Sequence, residues 1–157
     1  MHPVESTLHN PALVSGKTDL KSITIAYWIV TALFCLEMSF TAYYELLPQG
    51  AEAFVRLGFP ASYFRMELSL AKVAGVAALL VPMVPARLKE WAYAGFAINL
   101  VSALITHLSL GQGPESWGPS AITSVLWGFS YFFWRRLEAK VALSPSPVEV
   151  AGYAAHS

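Results

Sequence analysis

Four ionisable residues interrupt long apolar stretches of the sequence: Glu37, Glu67, Lys72 and His107. Charged groups are costly at membrane depth and usually face the interior of a helix bundle or a cavity there. Any chemistry of this chain is therefore expected from these side chains, as acid-base catalysis or as polar binding of a ligand.

The depths of these residues predict two pairs. With a rise of ~1.5 Å per residue, Glu37 and Lys72 both lie ~4 Å to the outer side of the middle of their spans. We therefore predict that they form an ion pair or a neutralised pair. By the same rise Glu67 and His107 lie together, ~10 to 12 Å outward.

These residues and their neighbours make up the predicted site. Thr41 and Tyr44 follow Glu37 at i+4 and i+7, which puts a hydroxyl and a phenol on the same helix face. The predicted catalytic residues are Glu37, Lys72 and His107, and the predicted ligand-binding residues are Thr41, Tyr44, Glu67 and Asn99.

Other readings of the charged residues stay open. Glu67 and His107 are also compatible with a plain position in the headgroup region. Glu45, Arg87 and Glu90 lie at span ends, where solvated boundary residues are expected.

Cys35 is the only cysteine, so a disulfide framework and a multi-cysteine metal site are excluded. We predict no metal site, and the chain carries no cofactor motif of its own.

The composition predicts a membrane protein. Of the 157 residues, 55% are hydrophobic and only 13% are charged, and the mean hydropathy is +0.50. This is about half the charge of an average soluble domain. Ten basic residues balance ten acidic ones, so the chain has no basic excess for binding nucleic acid.

The order of apolar runs predicts an all-α integral membrane protein, folded as an antiparallel four-helix transmembrane bundle. Residues 1–22 and 137–157 are predicted tails, and 23–136 the transmembrane domain. Residues 51–65 are predicted to be a partly helical interfacial segment, and 86–90 a tight charged turn. The predicted spans are 23–47, 66–84, 91–110 and 119–134.

Small residues recur at helical spacing on the second and third spans, which predicts close helix packing. The two stripes are Ala71, Ala74, Gly75 and Ala78, and Ala92, Gly95 and Asn99.

The distribution of basic residues predicts the orientation. Seven of the ten lie before the first span, between the second and third, or after the fourth, whereas only Arg56 and Arg65 lie on the opposite side. Basic residues favour the cytoplasmic side, so both termini are predicted to be cytoplasmic.

Seven short segments of the sequence carry a family resemblance. They are LGFP at 57–60, YFR at 63–65, AKVAG at 71–75, LLVP at 79–82, RLKEWAYAGF at 87–96, SA at 102–103 and THL at 106–108. These segments resemble the DoxX-like family of small bacterial four-span membrane proteins, and the resemblance extends over residues 25–136. The characteristic positions of the family correspond to Lys72, Glu90, Trp91, Tyr93 and His107. Glu37 departs from the small or apolar residues usual at its position.

The resemblance implies a place in the bacterial inner membrane, in a superfamily named after a subunit linked to thiosulfate:quinone oxidoreduction. Fold alone does not transfer that reaction. One expected function is the binding of a quinone or another lipophilic small molecule, as a subunit of a redox system with a membrane or peripheral partner. Another is a stand-alone enzyme for isomerisation, hydration or epoxide opening of a hydrophobic substrate, and a scaffold role is third.

The orientation can be tested with a cysteine at position 116, in the predicted outer loop between the third and fourth spans. Because both termini are predicted to be cytoplasmic, Ser116→Cys should react with a membrane-impermeant maleimide in intact spheroplasts. A cysteine that reacts only after the inner membrane is permeabilised would reverse the predicted topology.

Overall fold

The structure, a computed structural model, describes residues 11–59 and 62–142, with side chains from residue 19 onward. The described residues form five helices and no strand, which confirms the all-α prediction. The helices are α1 (Pro11–Leu46), α2 (Pro48–Arg56), α3 (Ser62–Leu80), α4 (Ala86–Ser109) and α5 (Pro114–Ala142).

Two of the helices are long and apolar enough to cross a bilayer within the described part of the chain, Asp19–Leu46 and Ala86–Ser109. Only 28% and 17% of their most apolar stretches are buried, so they do not resemble core helices of a soluble protein. α3 carries Arg65, Glu67 and Lys72 within its 19 residues, which lowers its apolar character. Two of the four predicted spans are thus supported by length and composition.

Prolines lie at two helix boundaries that differ from the predicted ones. Residues 81–85, between α3 and α4, contain Pro82 and Pro85, which do not continue a helix. The predicted charged turn at 86–90 is therefore wrong, because these residues form the first turns of α4. α1 already includes residues 11–22 of the predicted tail, and Pro11 suits a first helical position. Residues 1–10 and 143–157 lie outside the described residues.

The described part of the chain divides into two compact units, residues 11–27 with 132–142, and residues 28–131. In the first unit, Tyr27 and Trp134 are buried. Lys140 lies 3.9 Å from Asp19, both partly exposed to solvent, so this ion pair contributes little to stability.

The core of the second unit is built from aromatic and small side chains. Phe34 of α1 packs edge-on against Phe96 of α4, with ring centroids 5.0 Å apart. Gly75 of α3 faces the same ring, since a Cβ at this position would come within 2.7 Å of Phe96 Cζ. α3 packs more closely against α4 than against any other helix, in agreement with the predicted small-residue packing.

A chain of buried hydroxyl groups connects three helices of the second unit. Ser130 Oγ of α5 lies 2.7 Å from Thr31 Oγ1 of α1 and 2.7 Å from the phenol oxygen of Tyr93 of α4. All three residues are at most 1% exposed, so neither lipid nor water can replace these hydrogen bonds.

Replacing the central serine should destabilise the protein. Ser130→Ala removes one hydrogen bond from each of two buried hydroxyls, and we expect a loss of about 1 to 3 kcal/mol in the free energy of unfolding. The matched control is Ser124→Ala on the same helix, because the Ser124 hydroxyl bonds only to the Ser120 carbonyl one turn earlier. Unfolding in detergent measures both, and equal losses would show that the hydroxyl chain adds nothing.

Candidate functional site

A cavity of about 540 Å³ lies within the second unit. Its size is typical of sites for small organic molecules. Leu57, Phe59, Phe64, Leu68 and Ile98 belong to its apolar wall. The Phe59 and Phe64 rings are stacked at a centroid distance of 5.4 Å.

All predicted site residues except Glu67 line this cavity. α1 contributes Glu37, Thr41 and Tyr44, α3 contributes Lys72, and α4 contributes Asn99 and His107. The structure therefore brings together most of the residues selected from the sequence, and their catalytic or binding roles stay predictions.

Lys72 does not pair with Glu37, so the predicted partner is wrong. Its ammonium group donates to Glu45 Oε1, and both residues are buried, with 6% and 8% exposure. Ser69, one turn before Lys72, places its hydroxyl 3.0 Å from Glu45 Oε2. Glu45 is thus a buried ion-pair partner and not the solvated boundary residue that the sequence predicted.

The relative height of α1 and α3 differs from the depth estimate. Arg65, Ser69 and Lys72 of α3 all contact Glu45, which lies two turns beyond Glu37 and near the end of α1. Glu45 was identifiable from its spacing, because residues 37, 41 and 45 follow one another at i+4 on one face of α1.

Arg65, near the start of α3, contacts the backbone at the end of α1. Its guanidinium donates to the backbone carbonyl of Glu45 and lies 3.4 Å from the carbonyl of Leu47. Helix carbonyls in the last turn have no partner in their own helix, so a cation stabilises them. The ion pair and this contact hold the same turn of α1.

Glu37 has a different partner, Thr123 of α5, whose hydroxyl lies 3.1 Å from Glu37 Oε1. Thr123 is buried and was not identified from the sequence. It lies on the fourth predicted span, which has no charged residue that would have drawn attention to it.

The predicted pairing of Glu67 with His107 is also wrong. Glu67 is exposed and precedes the buried Ser69 by two residues, which places it on the opposite side of α3. His107 Nδ1 lies 2.6 Å from Gln112 Oε1 instead. The cause is Gly111, whose φ of +63° turns the chain back so that the Gln112 N–H bonds the His107 carbonyl at 3.1 Å.

α2 covers one side of the cavity with its apolar face. Ala53 and Phe54 line the cavity, while Glu52 and Arg56 form an exposed pair at 3.5 Å. Gly50 lets α2 approach α1, because a Cβ there would come within 2.8 Å of the Glu45 Cα. The predicted interfacial segment at 51–65 is therefore partly helical, as expected from its sequence.

The described residues contain no group of three or more His, Cys, Asp or Glu side chains placed to hold a metal ion. The side chains of the cavity can accept and donate hydrogen bonds and can exchange protons. An all-helical fold, two apolar helices left mostly unburied and a cavity of mixed polarity indicate a small helical membrane protein with an internal cavity.

The family model described as the DoxX-like family matches residues 29–129. The chain belongs to this family, a family of membrane proteins, as its sequence motifs predicted. No curated protein and no solved structure matches the chain.

A double-mutant cycle tests the observed ion pair. Lys72→Met and Glu45→Gln should each cost ~3 to 5 kcal/mol in the free energy of unfolding, because each leaves a buried partner uncompensated, while the double variant should lose much less than the sum. Lys72→Met and Glu37→Gln should instead add to within about 0.5 kcal/mol. Coupling between Glu37 and Lys72 in place of Glu45 would contradict the observed pairing.

Proposed function

We propose that this protein binds a lipophilic small molecule with a polar head, such as a quinone, in the cavity between its helices. The observation that supports the proposal best is the composition of the cavity wall. Aromatic and aliphatic side chains surround a few polar groups, among them Glu37, Asn99 and His107. Ligand sites usually combine an apolar lining with a few polar groups that orient the ligand.

The internal pairing of charges also favours a neutral ligand of this kind. Lys72 is compensated by Glu45 within the cavity wall, so it does not require an anionic ligand. An apolar molecule with hydroxyl or carbonyl groups can use the remaining polar atoms without adding an uncompensated charge.

We further propose that the protein acts in the bacterial inner membrane as a multi-pass protein with both termini cytoplasmic, and as a subunit of a redox system. The seven-to-two division of basic residues supports the orientation. The redox role rests on the family relationship, and a membrane or peripheral partner protein would supply the electrons.

A second candidate is a stand-alone enzyme for acid-base chemistry on a hydrophobic substrate. The presence of Glu37 and His107 in the wall of one cavity favours it, since each can exchange a proton with a bound molecule. Turnover of a lipophilic epoxide or enone by the purified chain alone, lost in Glu37→Gln, would support the enzyme. The redox subunit predicts no such turnover.

Filling the cavity should weaken ligand binding. Ala103 lines the cavity and is half-buried, so Ala103→Phe projects a ring into the ligand space. We expect the affinity for a decyl-substituted benzoquinone, measured by titration calorimetry in nanodiscs, to fall by about tenfold or more, which corresponds to ~1.4 kcal/mol.

The control for this variant is Ala94→Phe, an exposed position on the same helix that does not line the cavity. It should bind the benzoquinone as the wild type does. Mass spectrometry of lipid extracts from the purified variants should show the co-purifying molecule with Ala94→Phe and not with Ala103→Phe. Equal binding by both variants would show that the benzoquinone does not bind in the cavity.

A further inference from the structure

The two carboxylates that line the cavity differ in how their oxygens are hydrogen-bonded. Glu45 receives a donor on each oxygen, the Lys72 ammonium on Oε1 and the Ser69 hydroxyl, at 3.0 Å, on Oε2. Its charge and its acceptor atoms are both satisfied within the protein. Glu45 therefore does not need a hydrogen-bond donor from a ligand.

The carboxylate of Glu37 receives fewer hydrogen bonds from the described residues than that of Glu45 does. Its Oε1 lies 3.1 Å from the Thr123 hydroxyl, but that hydroxyl is also 2.9 Å from the Pro119 carbonyl. A threonine hydroxyl has one proton, so it can donate fully to only one of these acceptors. Glu37 Oε2 has no hydrogen-bond partner within the described part of the chain.

A carboxylate has about four acceptor positions and is stabilised by strong, charge-assisted hydrogen bonds. Glu37 is half-buried in the cavity wall near apolar groups. A hydrogen-bond donor on the ligand would therefore fill an acceptor position of this carboxylate that the described part of the protein leaves empty. A ligand that carries only acceptors would instead displace water from Glu37 and leave it without a donor, which costs free energy.

We propose that Glu37 Oε2 accepts a hydrogen bond from a hydroxyl group of the ligand, and that the cavity selects lipophilic phenols or hydroquinones over the corresponding ethers or quinones. This inference rests on the proposed function, since it names the ligand class of the same cavity. Asn99 can donate as well as accept, so it supports either class, and Glu37 supplies the discrimination.

The test compares para-nonylphenol with its methyl ether, which differs in the loss of the O–H donor. A phenol with an ordinary pKa near 10 keeps its proton at neutral pH. Titration calorimetry with the full chain in nanodiscs should show that the phenol binds about tenfold or more tightly than the ether. Neither molecule can be oxidised to a quinone by simple loss of two protons and two electrons, so redox reactions do not confuse the comparison.

Glu37→Gln should reduce the preference to about threefold or less, because its neutral carboxamide loses the charge assistance and can itself donate to the ether oxygen. The matched control is Glu115→Gln, an exposed glutamate outside the cavity, which should keep the wild-type preference. A merely steric rejection of the methyl group would persist in Glu37→Gln. Thermal unfolding of both variants verifies that they are folded.

The outcomes separate this inference from the proposed function. Binding of the phenol and the ether with equal affinity, unchanged by Glu37→Gln, would overturn the role of Glu37 and leave the ligand cavity in place. A phenol preference that survives Glu37→Gln would assign the selection to another group and overturn the inference as well. Failure of the phenol, the ether and the decyl benzoquinone to bind at all would overturn the proposed function.

Discussion

The ion pair between Glu45 and Lys72 is the constraint on which the rest of the second unit depends. Charges of this kind are tolerated in an apolar environment only when they compensate each other and their remaining hydrogen-bond positions are filled. Lys72 and Ser69 on α3 hold the side chain of Glu45, while Arg65 holds its backbone carbonyl. The end of α1 is thereby fixed against α3 by both its backbone and its side chain, and α2 starts from this fixed point.

The fixed end of α1 also determines which residues face the cavity. Gly50 brings α2 against the backbone of Glu45, and the apolar residues of α2 then lie over the cavity. Glu37 lies two helical turns earlier on α1, at the part of the cavity wall near α5. Because Glu45 neutralises Lys72, Glu37 is left as the carboxylate whose hydrogen bonding depends on what occupies the cavity.

The sequence was sufficient to predict the all-helical fold, the family and six of the polar residues that line the cavity, because polar groups are rare in apolar helices and stand out. The sequence did not predict which side chains contact one another within the site. Pairing depends on the relative height of two helices, and Lys72 of α3 lies beside Glu45, two turns further along α1 than Glu37. The contact between His107 and Gln112 depends on the left-handed conformation of Gly111, which is a property of one backbone torsion. Thr123 of α5 contacts Glu37, and no charged residue in the sequence of α5 near this position indicated which of its faces meets α1.

The contact between Gly75 and Phe96 has a consequence for the evolution of this fold. The phenyl ring occupies the volume that a Cβ at position 75 would need, and it cannot swing away because it is buried against Phe34. A larger residue at position 75 is therefore compatible with the close approach of α3 and α4 only if position 96 becomes smaller in the same lineage. Substitutions at these two sites should be correlated among relatives, and an ancestor that passed from one combination to the other must have tolerated either a void or a displaced helix on the way.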